Sequence, residues 1–491
     1  MRGIVAEIHG GASLTPTKLE LLTGWMGGQR WYAAKGSTPA LTPLAAWRLA
    51  DPSGEVGIET HIVRDTGGPS PVTYQVPLTY RGAPAAGLER ALVGTLEHSV
   101  LGRRWVYDAT HDPVYARQLL ALVRGRVRAE SSSLSHEVDD RFRGEPASSW
   151  SHDLTVTDSR VLVGEQSNTS VIVEATDESA AACPVIVKIF RTLAAGDNPD
   201  VVLQSALRET GCEQVPAVVG AVVGHWPGDA DDRSGPGEES GHLAFAQEFI
   251  PGSEDAWRVA LRAAREGADF STAARELGAA TAAVHTALAE ALPTQPAGPD
   301  DVARITSVMR RRLDAAGALV PAVAARAGEI AAIVDAASTT TWPPLQRVHG
   351  DYHLGQVLHS PQRGWLLLDF EGEPLRPLAE RSHPDSTFRD VAGMMRSFDY
   401  AGGSAEQERP GASARGWVDD SLEAFLDGYS HGADDPREHD VLLRAFLLDK
   451  ALYEVVYEAR NRPPWLPIPV AAITRLLDRP RATDDKRGPN A

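Results

Sequence analysis

Hydrophobic and polar residues follow different spacings in the two halves of the chain. Up to about residue 250, short runs such as ETHIVRD, SRVLVG and VIVKIF alternate or stay apolar between Gly, Pro or polar turns, which predicts β-strands. Beyond Pro251, segments such as STAARELGAATAAVHTALAEAL carry apolar residues at helical spacing. Two short segments, LQRVHGDYHLGQVLHS and GWLLLDFEGEP, interrupt the predicted helices. Strands followed by helices indicate an α+β protein.

Local patterns in the strand-rich half predict further elements and breaks. TKLELLTGWMGG predicts a helix that ends at Gly27-Gly28, and residues 114–129 predict a second helix. The polar stretch ESSSLSHEVDD predicts a linker. PGDADDRSGPGEESG is acidic and rich in Gly and Pro, so it predicts a disordered surface loop. Trp31 and Tyr32 are expected to pack in a core.

Composition restricts the classes of function. Asp and Glu outnumber Lys and Arg by 66 to 48 in 491 residues, giving a net charge of −18, which disfavours nonspecific binding to nucleic acid or to an anionic membrane surface. There is no signal-peptide core and no apolar run of about 20 residues. We therefore predict a cytoplasmic protein with no nucleic-acid and no membrane partner. Cys183 and Cys212 form no disulfide framework and are expected to be buried, inert thiols.

The two interrupting segments carry the residues with the clearest chemistry. Asp351 is followed five residues later by Gln356, the same step as from Asp to Asn in the protein-kinase catalytic loop, and Asp369 follows the apolar run LLL. Phosphoryl transfer needs a positioned hydroxyl and oxygen ligands for magnesium, and these residue types supply both. His349 and His353 are expected to bond the loop backbone. A hydrolase pair of Asp351 and Asp369 is the less favoured alternative.

Longer stretches resemble a known family. HGDYHLGQVL followed by LLLDFEGEP resembles the aminoglycoside-phosphotransferase-like kinases, whose loop usually reads HGDLHPGN. DFEGEPLRPLAERSHPDSTFRDVAGMMRSFDYA is similar to actinobacterial maltokinases, as are QRWYAAKG, WVYDATHDP, GEQSNTSVIV and YEVVYEARNRPPWLPIP. The resemblance implies a bilobal protein-kinase-like fold. Its implied domains are an N-terminal α/β cap at 1–130, a β-rich nucleotide-binding lobe at 131–250, a helical catalytic and acceptor lobe at 251–478 and a disordered tail at 479–491.

The resemblance also implies a reaction. ATP, with Mg²⁺, would phosphorylate the anomeric hydroxyl of maltose to give maltose 1-phosphate for α-glucan (glycogen) synthesis, with trehalose synthase as the maltose supplier and a possible partner. On matching positions, Asp351 becomes the catalytic base, Gln356 and Asp369 become magnesium ligands, and Glu371 becomes a possible helper. Gln356 stands where the family usually has Asn and reaches one methylene further.

Nucleotide contacts are implied in the strand-rich half. Lys188 in VIVKIF matches the lysine that binds the α- and β-phosphates, with a solvent-facing strand lysine as the alternative. Relatives carry Glu at the position of Val202, so the acidic partner of Lys188 is open, and Glu209 lies two helical turns further on. No Gly-rich loop is present. A polar hairpin tip or a phosphate contact is equally expected of the matching segment, which contains Ser167, Asn168 and Thr169.

The hinge between the lobes matches the segment AQEFI. Gln247 and Phe249 in this segment would meet adenine through backbone groups. A strand that simply ends before Pro251 would have the same sequence pattern.

The acceptor sugar has the least specific sequence pattern. Sugars are held by carboxylates, amides and Arg, with aromatic rings against their apolar faces. The predicted C-terminal helix offers such groups at Tyr453, Glu454, Tyr457, Glu458, Arg460 and Asn461. Charged residues at every fourth position of that helix equally predict a solvated ion-pair ladder. That set is Lys450, Glu454, Glu458 and Arg462. Asp385 and Arg389 would either face the acceptor or cap a helix.

Three alternatives to maltose phosphorylation remain open. Glucosamine kinases share these motifs, and their substrate would need a carboxylate near its ammonium, such as Glu454, Glu458 or Asp385. An aminoglycoside kinase fits the catalytic segments but not the DFEGEP extension. A pseudokinase that serves as an interaction module would explain the absent Gly-rich loop, although Asp351 and Lys188 argue against it.

Overall fold

The computed structural model describes residues 11–133, 137–162, 168–231, 235–374, 376–409 and 413–479. The chain divides into two compact units. The first comprises Met1–Ser205 and Pro216–Pro251, and the second comprises Ala206–Val215 and Gly252–Ala491. The first unit is rich in strands and the second in helices, so the predicted α+β character and the cap, β-rich and helical parts are confirmed.

Fourteen strands are described in the first unit, together with two helices and the start of a third. The strands are β1 (Leu14–Thr15), β2 (Leu41–Leu49), β3 (Gly57–Asp65), β4 (Val72–Arg81), β5 (Leu92–His98), β6 (Gly102–Asp108), β7 (Glu130–Ser131), β8 (Phe142–Pro146), β9 (Thr155–Val161), β10 (Asn168–Thr176), β11 (Val185–Phe190), β12 (Thr192–Leu193), β13 (Val218–Asp231) and β14 (Gly235–Glu248). The helices are α1 (Lys18–Met26), α2 (Pro113–Val123) and α3 (Pro199–Glu209).

The strands of the first unit form two antiparallel sheets. The first has the order β1-β5-β6-β4-β3-β2-β7, with β12 also paired to β4, and the second has the order β8-β13-β14-β11-β10-β9. One hydrophobic cluster contains residues from both sheets and from α2, such as Trp47, Leu119 and Val187. The two sheets therefore share one core, and the apolar area buried in it stabilises both. Trp31 and Tyr32 are buried, as predicted.

Three local predictions for this unit have different outcomes. The helix α1 ends before Gly27, as the sequence predicts, and Thr17 caps its start. The second predicted helix stops at Val123, before Gly125, which has a φ of 65°. The predicted linker is wrong at its start because Glu130–Ser131 is a strand paired with β2.

The prediction of a disordered acidic loop at residues 227–241 is wrong where the structure describes it. The strands β13 and β14 continue through most of this segment and pair with each other, with Pro227 opposite Glu238. The indole of buried Trp226 donates a hydrogen bond to Glu239 at 2.9 Å. Cross-strand pairing therefore overrides the weak strand propensity of Gly, Pro and Asp.

The second unit consists mainly of helices. They are α4 (Ala256–Glu266), α5 (Ser271–Ala291), α6 (Pro299–Leu319), α7 (Pro321–Ala324), α8 (Ala327–Thr339), α9 (Leu378–Arg381), α10 (Phe388–Glu408), α11 (Arg415–Ser430), α12 (Asp440–Asn461) and α13 (Pro467–Asp478). A small antiparallel sheet has the order β15-β16-β17. Its strands are β15 (Glu254–Asp255), β16 (Val357–Ser360) and β17 (Gly364–Leu367). No described helix is long and apolar enough to span a bilayer.

Two glycines allow α5 and α11 to cross at close range. A Cβ on Gly278 of α5 would overlap the carbonyl oxygen of Phe425, and a Cβ on Gly428 of α11 would overlap that of Arg275. Glycine in a helix interior costs about 1 kcal/mol relative to Ala, so the close approach of two backbones is the physical reason for it here.

The two thiols differ from each other. Cys212 is buried as predicted, whereas Cys183 is only half-buried. Burial raises the pKa of both thiols above the ordinary value, which keeps them in the unreactive protonated form.

Candidate active site

The loop that carries Asp351 is fixed by a buried carboxylate. Asp390 of α10 accepts hydrogen bonds from the backbone N–H groups of His349, at 2.8 Å, and Gly350, at 2.9 Å. The ring of His349 donates to the carbonyl oxygen of Leu368 at 2.8 Å. His349 therefore ties this loop to the segment that precedes Asp369, which is the backbone role expected for it.

Asp351 is ion-paired with Lys450 of α12. The Lys450 Nζ lies 2.9 Å from Asp351 Oδ1. Burial opposes ionisation of the Asp351 carboxyl, but Lys450, together with His353 and His349, outweighs it, and the pKa of Asp351 is about 2. Burial also disfavours the ammonium, yet Asp351 raises the pKa of Lys450 above its ordinary value. Both groups are therefore charged at neutral pH.

The predicted metal ligands meet at the end of the β16–β17 hairpin. The Gln356 side-chain amide donates to Asp369 Oδ2 at 3.1 Å, and the backbone N–H of Leu368 donates to the Gln356 carbonyl at 2.9 Å. Asp369 has a φ of 62°, in the left-handed region that is uncommon for residues other than Gly. Such backbone strain costs on the order of 1–3 kcal/mol and clusters at functional sites.

The donor chemistry of these side chains fits magnesium. Carboxylate and amide oxygens are the hard ligands that Mg²⁺ uses beside phosphate and water. The Gln356 amide nitrogen faces Asp369 Oδ2, so the amide would have to turn over to present its oxygen to an ion held by Asp369. The Glu371 backbone carbonyl accepts a hydrogen bond from Arg381 Nη1 at 2.8 Å, which fixes the chain just after Asp369.

Lys188 of β11 has an acidic partner that the sequence left open. Its Nζ lies 2.9 Å from Asp200 Oδ2 in the first turn of α3. Asp200 is buried and also accepts from the side-chain amide of Gln204 at 2.7 Å. Neither Val202 nor Glu209 is needed, because the acid stands two residues before Val202. Lys188 is largely buried, so the alternative of a solvent-facing strand lysine is wrong.

The hairpin next to Lys188 is described only in part. Ser167 lies outside the described residues. Asn168 and Thr169 begin β10, opposite Phe190 and Ile189 of β11. The Thr169 hydroxyl is buried and accepts a hydrogen bond from Arg191 Nε at 2.8 Å. This contact directs Thr169 to the protein interior, and its contact with phosphate stays a prediction.

The predicted hinge residues lie at the end of β14. Gln247 is paired with Ile186 on β11, and the backbone N–H of Phe249 donates to the Pro184 carbonyl at 3.0 Å. The guanidinium of Arg160 lies 5.9 Å from the Phe249 ring centroid. The first unit ends just beyond, at Pro251, so the segment stands at a division between units as expected of a hinge.

A cavity of about 430 Å³ opens beside Asp351 in the second unit. Its volume falls in the range of about 300–1,000 Å³ that is typical of small-molecule sites. Four of the predicted acceptor residues line it. They are Tyr453, Glu454, Tyr457 and Glu458. Glu454 and Glu458 are buried, so the alternative of a solvated ion-pair ladder is wrong for these two residues.

Each carboxylate that lines this cavity among the described residues has a cationic partner. Arg396 of α10 donates through Nε and Nη2 to Glu454, at 3.0 and 2.8 Å. Glu458 forms an ion pair with Arg462 at 2.6 Å, and Asp351 forms one with Lys450. Burial raises the pKa of Glu454, which Arg396 opposes. The polar wall is therefore close to electrically neutral.

Aromatic rings form another part of the cavity wall. The rings of Tyr400 and Trp465 are stacked, with centroids 6.2 Å apart and an interplanar angle of 17°. Tyr457 is 43% exposed, and the Arg462 guanidinium lies over both Tyr457 and Trp465. Flat aromatic faces beside hydrogen-bonding groups suit the alternating apolar and hydroxyl faces of a sugar.

Several sequence predictions for the acceptor site need correction or addition. Arg460 is exposed and is not among the residues that line the cavity, whereas Arg462 is. Asn461 donates to the Tyr457 carbonyl at 2.9 Å. Asp385 and Arg389 pair with each other at 2.7 Å in the interior and do not line this cavity. Lys450 and Arg462 were visible in the sequence only as a charge repeat. Tyr400, Arg396 and Trp465 lie in stretches that resemble maltokinases, but nothing in the sequence marks them as acceptor-site residues.

The helical unit thus combines a paired aspartate, a carboxylate–amide pair and a sugar-sized cavity, and the other unit carries a lysine with a helix-borne acid. These are the parts of a kinase-type phosphotransferase. The chain belongs to the phosphotransferase enzyme family, whose model matches residues 159–440. The model of the maltokinase N-terminal cap domain matches residues 25–112. The resemblance stated from the sequence is confirmed.

Relatives and solved structures agree with this assignment. A glucosamine kinase of Streptacidiphilus jiangxiensis is 31% identical over 347 residues, which cover 66% of this chain and 74% of that protein. One from Mycolicibacterium smegmatis is 27% identical, over 68% of this chain and 83% of that protein. The structure of a glucosamine kinase with glucosamine, ADP and inorganic phosphate matches with a TM-score of 0.64 and 24% identity, over 94% of this chain and all of that one. That likeness shows the same fold.

Proposed function

We propose that this protein transfers the γ-phosphate of ATP to the anomeric hydroxyl of maltose, giving maltose 1-phosphate and ADP. The resemblance of the DFEGEP stretch to maltokinases and the match to the maltokinase cap model support maltose. The neutral polar wall of the cavity is the single observation that carries the choice of a neutral sugar. An amino sugar brings an ammonium that needs a carboxylate, and the described carboxylates of the wall are already paired with Arg396, Arg462 and Lys450.

The proposed chemistry uses residues of this chain in defined roles. Asp351 orients the anomeric hydroxyl and accepts its proton while the new P–O bond forms and the bond to the β-phosphate oxygen breaks. Its low pKa suits a reaction in which positioning outweighs proton removal, because phosphoryl transfer passes through a loose transition state. Asp369 and Gln356 hold Mg²⁺, which neutralises phosphate charge when bound. Lys188, kept in place by Asp200, contacts the phosphates.

Contacts with the sugar are assigned to the cavity wall. Tyr457, the exposed ring of the wall, offers an aromatic face to an apolar side of the sugar, and the stacked pair of Tyr400 and Trp465 lines the cavity beside it. Glu454 and Glu458 accept hydrogen bonds from hydroxyl groups while remaining paired with their arginines. The product would enter α-glucan synthesis, with trehalose synthase as the supplier of maltose.

Glucosamine is the second candidate, because the named relatives are glucosamine kinases. A product assay with Mg-ATP separates the two, using maltose, glucose, glucosamine and kanamycin as acceptors and an Asp351→Asn protein as the control for contaminating kinases. We expect maltose 1-phosphate and little product from the other acceptors. A signal from glucosamine alone would reverse the choice of sugar while keeping the kinase. ATP binding without any phosphorylated product would favour the pseudokinase alternative.

A further inference from the structure

A buried arginine connects the cap part of the first unit to the strands of the nucleotide site. Arg191 follows β11 directly and is 1% exposed. Its Nη2 lies 2.8 and 2.6 Å from the two carboxylate oxygens of Asp108, at the end of β6. Its Nε donates to the hydroxyl of Thr169, at the start of β10. One guanidinium therefore joins three strands from two sheets.

Further groups of the cap hold this guanidinium in place. The Thr110 hydroxyl accepts from Arg191 Nη2 at 3.0 Å and donates to Asp108 Oδ1 at 2.8 Å. The face of Trp31 lies 4.9 Å from the guanidinium, close enough for a cation–π contact. The orientation of Arg191 is thus determined mainly by residues of the cap.

The backbone makes the same connection independently. The strand β12, two residues beyond Lys188's strand, pairs with β4 of the cap sheet. The backbone N–H of Gln75 on β4 donates to the Arg191 carbonyl at 2.8 Å. The buried side-chain amide of Gln75 donates to the carbonyls of Phe190, at 3.1 Å, and Leu243, at 2.9 Å. The cap therefore holds the end of β11 and an interior residue of β14 as well.

These contacts reach the strand residues next to Lys188, which would bind the phosphates of ATP. Ser170 pairs with Lys188 across β10 and β11, and Thr169 pairs with Ile189. A shift of Arg191 would move the start of β10 relative to β11, and with it the position of the Lys188 ammonium. Because charge-assisted hydrogen bonds fix geometry strongly, a small set of contacts suffices to hold both strands.

The polar cluster around Arg191 is better explained by a role in positioning the strands than by a contribution to stability. Replacement of buried ion pairs by apolar residues is often neutral or stabilising, so such a pair is weak evidence for a stabilising role. Arg191 Nη1 is also buried without a hydrogen-bond partner among the described residues, which is a cost that a purely stabilising arrangement would avoid.

We propose that the cap acts as a positioning element of the nucleotide site, with Asp108 working through Arg191 to set the place of Lys188 and β10. This inference rests on the proposed use of ATP and does not depend on which sugar is the acceptor. It predicts that nucleotide affinity and the structure of the cap are coupled, and such coupling is reciprocal.

The first test compares Asp108→Asn with a matched control in the full-length protein. Asp108→Asn removes the charge from Arg191's partner and keeps the side-chain shape. The control is Arg81→Gln, which breaks the two hydrogen bonds between Arg81 and Asp112 in the cap. The Arg81–Asp112 pair makes no described hydrogen bond to β10 or β11. We expect Asp108→Asn to weaken binding of a non-hydrolysable ATP analogue and to raise KM for ATP about tenfold, which is a common size of coupling between sites. KM for the sugar should stay within about twofold, and Arg81→Gln should leave both constants near wild type.

A second test needs no variant, in case Asp108→Asn does not fold. Hydrogen exchange of the wild-type protein is measured with and without the ATP analogue. Reciprocal coupling predicts slower exchange at residues 105–110 and 73–76 of the cap when nucleotide is bound. Unchanged exchange there, or equal losses of ATP and sugar affinity in Asp108→Asn, would overturn the positioning role. Wild-type protein that binds nucleotide but phosphorylates no sugar would contradict the proposed function alone, whereas failure to bind nucleotide would overturn both.

Discussion

Arg191 in the first unit and Arg396 in the second are both buried and paired with carboxylates, but the two pairs have different roles. Arg191 and Arg396 are each 1% exposed, and each donates two hydrogen bonds to a carboxylate on another element. Arg191 also donates a hydrogen bond to the Thr169 hydroxyl at the start of β10, so its ion pair fixes the backbone. Arg396 pairs with Glu454 in a cavity wall, so its pair cancels charge where a ligand would sit. A buried ion pair is thus informative about function only when its surroundings are known.

The largest expected effect separates chemistry in the helical unit from placement in the strand-rich unit. We expect Asp351→Asn to lower kcat about 10²- to 10⁴-fold, because the amide can neither accept the proton nor orient the sugar hydroxyl as the carboxylate does. Affinity for ATP should change little, which is the opposite split from Asp108→Asn. Steady-state kinetics and direct nucleotide binding measure the two quantities. Asp335→Asn, which breaks an exposed pair with Arg310, serves as the control. Turnover retained in Asp351→Asn would refute its assignment as the base.

The next effect tests the charge balance provided by Arg396. We expect Arg396→Met to lower the free energy of unfolding by about 3–5 kcal/mol, because Glu454 is then left buried without a cation. Urea unfolding followed by circular dichroism measures the change. The double variant Arg396→Met/Glu454→Leu should regain much of the loss. Arg310→Met, which removes the partner of exposed Asp335, should cost no more than about 1 kcal/mol. Equal losses in the two single variants would contradict the distinction.

A pH profile sharpens the role of the cation beside Asp351. In the wild type, Lys450 is the main group that lowers the pKa of Asp351, which is about 2, so this carboxylate stays ionised throughout the usual assay range. In Lys450→Met, burial acts without that opposition and raises the pKa. The acid limb of kcat/KM should therefore move toward neutral pH, with activity lost as the pH falls. An acid limb that does not move would show that Lys450 does not set the ionisation of Asp351.

The smallest expected effect concerns the exposed aromatic wall. Tyr457→Ala should weaken sugar binding by about 0.5–1.5 kcal/mol, which is the usual worth of an aromatic contact beyond its buried area. KM for maltose should rise while kcat and KM for ATP stay nearly constant. Tyr457→Phe retains the ring and should behave like the wild type. An equal rise in KM for both variants would assign the effect to the hydroxyl.

The catalytic segments were predictable because their information is local. Asp351, Gln356 and Asp369 lie within nineteen positions of one another, and the β16–β17 hairpin brings the last two into contact. Strand-to-helix order likewise gave the fold class. Arg460 and Arg462 show the limit of such reasoning, because two residues at the end of one helix point in different directions and only the folded helix shows which one meets the cavity.

The partners of the charged residues were not predictable, because they lie far apart in the sequence. Lys450 is 99 positions from Asp351, and Arg191 is 83 positions from Asp108. Charges at such distances have many possible partners until the helices and sheets are packed. Asp200 is close to Lys188 in the sequence, but the family pattern places the acid two residues further along α3, at Val202.

The glycine crossing of α5 and α11 has a consequence for how such enzymes diverge. Beside Gly428, the Tyr429 hydroxyl lies 2.8 Å from His285 Nδ1, and His285 Nε2 lies 3.1 Å from Asp390, which holds the loop of Asp351. Any side chain at Gly278 or Gly428 would force the helices apart and disturb that chain of contacts. A substitution at the crossing would therefore reach the catalytic loop, whereas a substitution of exposed Tyr457 in the cavity wall would leave that chain of contacts in place. A change of acceptor made through such a wall residue would leave the catalytic loop intact.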